Sequence, residues 1–126
     1  MTYPENIEEI KKFAKKIDLD VKYLLGEKCD GGSYLGFYES LPDNIQFNVG
    51  DYLDLRSVKS LPTNIVFNVG GSLYLHSVKS LPDNIQFNVG GWLYLPSVKS
   101  LPSSTIFNVG KEIHLPTKHK VNVIWS

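Results

Sequence analysis

Apolar and polar positions alternate through the middle of the chain, and the alternation restarts every 20 residues. In residues 41–60, Ile45, Phe47 and Val49 are spaced by two, as are Leu53 and Leu55, and Gly50 divides the two runs. A period of two predicts strand with one face buried. Leu41-Pro42 followed by Asp43-Asn44 predicts a corner, because proline fixes φ and Asx side chains support turns. Gly50 predicts another, by a tight turn or a positive φ. No part of the unit has room for an ordinary helix of about three turns. Each unit is therefore expected to be two short strands and two or three corners.

The unit recurs without insertion as residues 61–80 and 81–100, and in decayed form as 101–120. One copy cannot bury its apolar side chains alone. Stacked copies can, because each column then packs on itself one rung away, about 4.8 Å. The expected core columns are Leu41/Leu61/Leu81/Leu101, Phe47/Phe67/Phe87/Phe107, Val49/Val69/Val89/Val109, Leu53/Leu73/Leu93/Ile113, Leu55/Leu75/Leu95/Leu115 and Val58/Val78/Val98. The Ile45/Ile65/Ile85 column breaks at Thr105. The columns Asn44/Asn64/Asn84 and Asn48/Asn68/Asn88/Asn108 are expected to form amide ladders.

An open rung exposes core and unpaired backbone, so the stack needs capped ends. Ile7, Ile10, Phe13, Ala14 and Ile17 recur at helical spacing. Thr2 and Glu5 fit a capping box, and Glu8, Glu9, Lys15 and Lys16 suit the helix dipole. A second short helix is expected from Asp20 through Leu25, ending at Gly26. The predicted organisation is a helical N-terminal cap over 1–28, a repeat solenoid over 29–120 and a C-terminal capping strand over 121–126, built on Val121, Val123 and Trp125, all in one folded unit.

The motif L-x-L-x-S-V-x-S-L-P-x-N-I, carried by Leu53, Leu55, Ser57, Val58, Ser60, Leu61, Pro62, Asn64 and Ile65, resembles the short 20-residue leucine-rich repeats of bacterial and phage proteins. The resemblance covers about two-thirds of the chain and is specific for a coiled fold, not for an activity. Two departures matter. The asparagine that usually follows the L-x-L strand is missing, its place being nearest Val58, Val78 and Val98. The unit also carries a second alternating run, I-x-F-N-V-G. The expected fold class is mainly β: a parallel β-solenoid or leucine-rich-repeat-like coil of four to five rungs.

If positions 53 and 55 point inward, 52, 54 and 56 point outward, and there the copies differ. The columns read Gly32, Tyr52, Ser72, Trp92, Glu112; then Tyr34, Asp54, Tyr74, Tyr94, His114; then Gly36, Arg56, His76, Pro96, Pro116. Tyr, Trp and Arg are the residues that anchor interfaces. The candidate protein-binding residues are therefore Tyr34, Tyr52, Asp54, Arg56, Tyr74, His76, Trp92, Tyr94 and His114. Aromatic side chains also favour strands for reasons of propensity alone. A row of them on a rigid sheet is costly unless something covers it.

Charge narrows the classes. Thirteen Lys+Arg balance thirteen Asp+Glu, so the large one-sign field of a general nucleic-acid binder or an acidic DNA mimic is absent. Lys59, Lys79 and Lys99 form a stripe flanked by Glu39 and His119. Such a stripe could follow single-stranded nucleic acid while Tyr74 and Trp92 stack bases; solvated corner lysines that discourage edge pairing are the plainer reading. The one cysteine, Cys29, forms no internal disulfide, and no Cys/His pair has zinc spacing. No glycine run has phosphate-loop spacing. The start MTYPENIEEIKK lacks the apolar region of a secretory signal, and no apolar run approaches the roughly 20 residues of a membrane span.

The expected function is a non-enzymatic protein-interaction module without cofactor or metal, cytoplasmic, and not membrane-bound. Its partner is a protein, nucleic acid is not expected, and the solenoid ends offer a route to homo-oligomers. The resemblance implies one concrete form: a phage-type anti-defence inhibitor, of the anti-CRISPR kind, that occludes a host protein in the host cytoplasm. The alternatives are a structural, self-assembling repeat protein and the nucleic-acid track.

Overall fold

The structure is a computed structural model that describes residues 3–36 and 38–116, together with residues 123–124; of residues 33, 34, 123 and 124 it describes the backbone only. The chain begins with helix α1, Ile7–Lys16, and a single 3-10 turn, Val21–Leu24. It then coils as a parallel β-solenoid. One sheet runs β1 (Ser33–Tyr34), β3 (Leu53–Asp54), β5 (Leu73–Tyr74), β7 (Leu93–Tyr94), β9 (Ile113–His114). The other runs β2 (Gln46–Val49), β4 (Val66–Val69), β6 (Gln86–Val89), β8 (Ile106–Val109), β10 (Val123–Ile124). The repeat's second alternating run forms the longer sheet, which makes the coil a two-sheet solenoid.

Among β2 to β9 the register is 20 residues: Phe47 pairs with Phe67, Phe67 with Phe87, and Leu53 with Leu73. The chain makes about three full turns, slightly fewer than the four to five rungs expected. Amides reach the carbonyls one rung away, as in Gly70 N to Val49 O at 2.8 Å and Leu55 N to Tyr74 O at 2.9 Å. Phe47, Phe67, Phe87 and Phe107 stack inside, with centroids 5.9, 5.5 and 5.4 Å apart and rings within 13° of parallel. A slip of one residue would turn this column to solvent, so burial itself locks the register. Fully burying each such ring contributes about 1.5–3 kcal/mol.

At the Gly50 corner the structure excludes one of the two expected options, the positive φ. Gly50, Gly70, Gly90 and Gly110 do not have positive φ; Asn44, Asn64 and Asn84 do, at 66°, 58° and 62°. Asparagine tolerates the left-handed region that this corner demands. Glycine is required for a different reason. A Cβ on Gly70 would enter the carbonyl of Gly50, and one on Gly90 that of Gly70, so the rungs close up only where the side chain is a hydrogen.

The amide ladders form in segments. Asn64 Nδ2 donates to Asn44 Oδ1 at 3.1 Å and Asn108 Nδ2 to Asn88 Oδ1 at 3.0 Å, whereas Asn48 donates to the Gly26 carbonyl at 3.2 Å. Asn6 continues the first ladder, accepting from Asn44 Nδ2 at 2.8 Å and donating to the Asp43 carbonyl at 2.8 Å. Asn6 is the N-cap of α1, and its side chain docks the helix on the first repeat and makes no capping bond. Thr2, expected to start that helix, lies outside the described residues. Ile10, Phe13 and Ala14 are buried against the coil, with Phe13 edge-on to Tyr38 at 5.6 Å. The expected second helix is the 3-10 turn, capped by Asp20 Oδ1 on the Lys22 amide at 3.1 Å and followed by Gly26 at φ 104°. At the far end Val123 pairs with Phe107 and Ile124 with Asn108. Val121, Trp125 and His119 lie outside the described residues.

Thr105 occupies the isoleucine column with 6% exposure, and its hydroxyl has no hydrogen-bond partner. Burying an unpaired hydroxyl is unfavourable. Thr105→Val keeps the shape and removes that group. It should raise the unfolding free energy by about 1 kcal/mol in urea denaturation; a lower midpoint would mean the hydroxyl is partnered.

Candidate functional site

The shorter sheet carries the outward columns. Leu53, Leu55 and their equivalents Leu73, Leu75, Leu93 and Leu95 are fully buried, which sends 52, 54 and 56 to the other face. Tyr52 is 39% exposed and Trp92 38%, Arg56 and His76 are exposed, and Tyr74, Tyr94 and His114 are half-buried. Tyr34 lies in β1, and its side chain is outside the described residues.

The half-burial has a clear cause. Tyr74 and Tyr94 stack at 4.9 Å and 9°, and Tyr94 and His114 at 4.6 Å and 11°, one rung apart. His76 lies beside this stack, 5.9 Å from Tyr74 and 5.6 Å from Tyr94. Trp92 leans on it at 43° to Tyr94 and 33° to His114. The rings of Tyr74 and Tyr94 thus spend faces on each other and present mainly edges and phenol groups outward. Burial pushes the Tyr94 phenol above its ordinary value, and the Tyr74 phenol and the Glu112 carboxylate act in the same direction. Glu112 Oε2 also lies 3.5 Å from His114 Nε2, without hydrogen-bond geometry.

Asp54 departs from the expected exposure. It is 3% exposed, although it shares the outward column with Tyr74 and Tyr94. Arg56 covers it: Arg56 Nη2 donates to Asp54 Oδ2 at 2.6 Å, Nε lies 3.0 and 3.1 Å from the two carboxylate oxygens, and the Arg56 amide donates to Oδ1 at 3.1 Å. A charged pair therefore occupies the rung before the aromatic stack.

Between Tyr52 and Tyr74 lies an open cleft of about 450 Å3, lined also by Asp51, Asp54, Arg56, Gly71 and Ser72. Sequence reading missed Asp51. The clue was available, because its column reads Gly31, Asp51, Gly71, Gly91, Lys111, with one acid among glycines. A second shallow trough, about 500 Å3, follows the asparagine and glycine columns of the longer sheet. Its amides are partly occupied with one another and with Gly26. Lys59, Lys79 and Lys99 are exposed, and Lys59 Nζ lies 3.6 Å from Glu39.

Among the described residues, no group of three His, Cys, Asp or Glu side chains is placed to hold a metal ion, and no helix is long and apolar enough to cross a membrane. Comparison of the chain with protein-family models, with curated proteins and with solved structures returns no match.

Two measurements check the electrostatics of this face. Arg56→Met leaves the buried Asp54 carboxylate without its guanidinium, with only the residue-56 amide still donating to it, and should cost about 1–3 kcal/mol, less than for a fully enclosed pair because the arginine is half in solvent. The double variant Asp54→Asn/Arg56→Met should recover part of that loss in urea denaturation. For Tyr94, the raised phenol value means the folded state holds its proton longer than the unfolded chain. The resulting stability is intact below the ordinary phenol range near 10 and is lost as pH climbs through the folded value. An absorbance titration should lose a late-ionising component in Tyr94→Phe.

Proposed function

We propose that the sheet formed by β1, β3, β5, β7 and β9 is a protein-docking surface and that the chain acts by occlusion, without catalysis. The observation that carries this is where the copies diverge. Buried columns and corners are nearly invariant, while the outward columns hold Tyr52, Asp54, Arg56, Tyr74, His76, Trp92, Tyr94 and His114. A coil needs its interior and corners repeated. It does not need Tyr, Trp and Arg gathered on one outer face, and those are the side chains that anchor interfaces. The stack of Tyr74, Tyr94 and His114 gives that face rigidity, which lowers the entropy lost on binding.

An inhibitor of phage type, blocking a host defence protein in the host cytoplasm, is the concrete form of this reading; it draws on the repeat resemblance alone. Single-stranded nucleic acid is the second reading. It is weakened because Tyr74 and Tyr94 present mainly edges, whereas base stacking uses ring faces.

The test is the double variant Tyr74→Ala/Trp92→Ala. It should retain the wild-type far-UV spectrum and cooperative unfolding, yet lose a protein that the wild-type chain captures from source-cell extract. A variant that captures the same protein with unchanged affinity would overturn the docking assignment.

A further inference from the structure

The aromatic stack ends at Tyr74, and the cleft beside it has its own chemistry. Three features open it. A Cβ on Gly32 would fall inside the Tyr52 ring, so glycine lets Tyr52 lie against the preceding rung. Gly71 leaves the next corner without a side chain, and Ser72 stands where the following copy has Trp92. The space left between the Tyr52 and Tyr74 rings is the cleft of about 450 Å3.

Its charge is unbalanced. Asp54 is matched by Arg56, through contacts of 2.6 to 3.1 Å. Asp51 is exposed at the rim, with Oδ1 2.9 Å from where a Cβ on Gly71 would lie, and among the described residues its carboxylate makes no hydrogen bond or ion pair. The cleft therefore has one uncompensated negative charge at its rim, beside the two tyrosines that line it. The opposite end of the face is balanced, with Lys111 next to Glu112.

We infer that this cleft receives a basic side chain, lysine or arginine, from the protein that docks on the aromatic face; the inference rests on the docking reading above. A cation gains from the Asp51 carboxylate at the rim, while its aliphatic stem lies along the Tyr52 and Tyr74 side chains that line the cleft. A neutral side chain would desolvate Asp51 without repayment, and an acidic one would be repelled. The cleft thus adds charge specificity to a surface whose other anchors are aromatic.

The experiment titrates the isotope-labelled full chain with N-acetyl-arginine amide and N-acetyl-lysine amide, followed by backbone amide shifts. N-acetyl-norleucine amide and N-acetyl-glutamate amide are the controls. Saturable shifts confined to residues 51–56 and 71–74 are expected for the two cations alone. Asp51→Asn, at an exposed corner, should keep the rest of the spectrum and weaken the cation about five- to tenfold. Equal shifts with the norleucine amide, or unchanged affinity in Asp51→Asn, would overturn the inference. The two proposals separate cleanly. If Tyr74→Ala/Trp92→Ala loses the captured protein while Asp51→Asn binds it as wild type does, the cleft assignment falls and the docking surface stands. If the cations bind in the cleft but the double variant keeps its partner, docking by the aromatic face falls.

Discussion

Everything in this molecule depends on each residue meeting its equivalent 20 positions later. The pairing is made by main-chain amides, but what fixes it is the column of phenylalanines. Hydrogen bonds alone would accept a slipped register, since every rung offers the same donors and acceptors. A slip of one residue would expose Phe47, Phe67, Phe87 and Phe107 together and bury the polar positions between them. The cost is collective, so the register is held far more firmly than any one contact suggests. The same in-phase stacking then acts on the outside, where it turns unrelated outward residues into continuous columns.

Two residue types set how closely the rungs approach. Asparagine supplies the left-handed corner at positions 44, 64 and 84, and glycine supplies the close approach at 70, 90 and 110. Of the two options open for Gly50, a tight turn or a positive φ, the structure excludes the positive φ. The sequence shows that both residues recur, but only rung spacing shows which one lacks room for a Cβ. The fourth copy illustrates the division of labour. Ser104 replaces the corner asparagine and leaves the left-handed region, while Gly110 and Phe107 keep their places. The corner tolerates a change of geometry at the end of the coil, and the packed column does not.

The core and the identity of the outer columns were legible because period two and period 20 both leave a trace in the chain. How the outer residues behave was not. Asp54 sits in a column otherwise aromatic, and nothing in its spacing announces that Arg56, two residues on, folds over it. Half-burial of Tyr74 and Tyr94 was equally hidden, since it arises from stacking between rungs and not from the alternation within one. Asp51 lies one position before the outward columns, next to the Gly50 corner; its column marks it as the one acid, but only the cleft beside it gives that acid a setting.

The external stack also constrains what kind of recognition this surface can support. Rings held face to face across rungs present edges and hydroxyls, which suit the mixed polar and apolar surface of a folded protein better than a planar ligand seeking a free face. Where the stack ends, the order of residues changes from rings to a charged pair and a lone carboxylate. Specificity on a repeat scaffold has to come from such interruptions, because a uniform column looks the same to a partner at every rung and cannot fix its position along the coil. On this chain the interruption lies at β3, so docking registered by charge at Asp51 and by area at Trp92 would seat a partner in one place only.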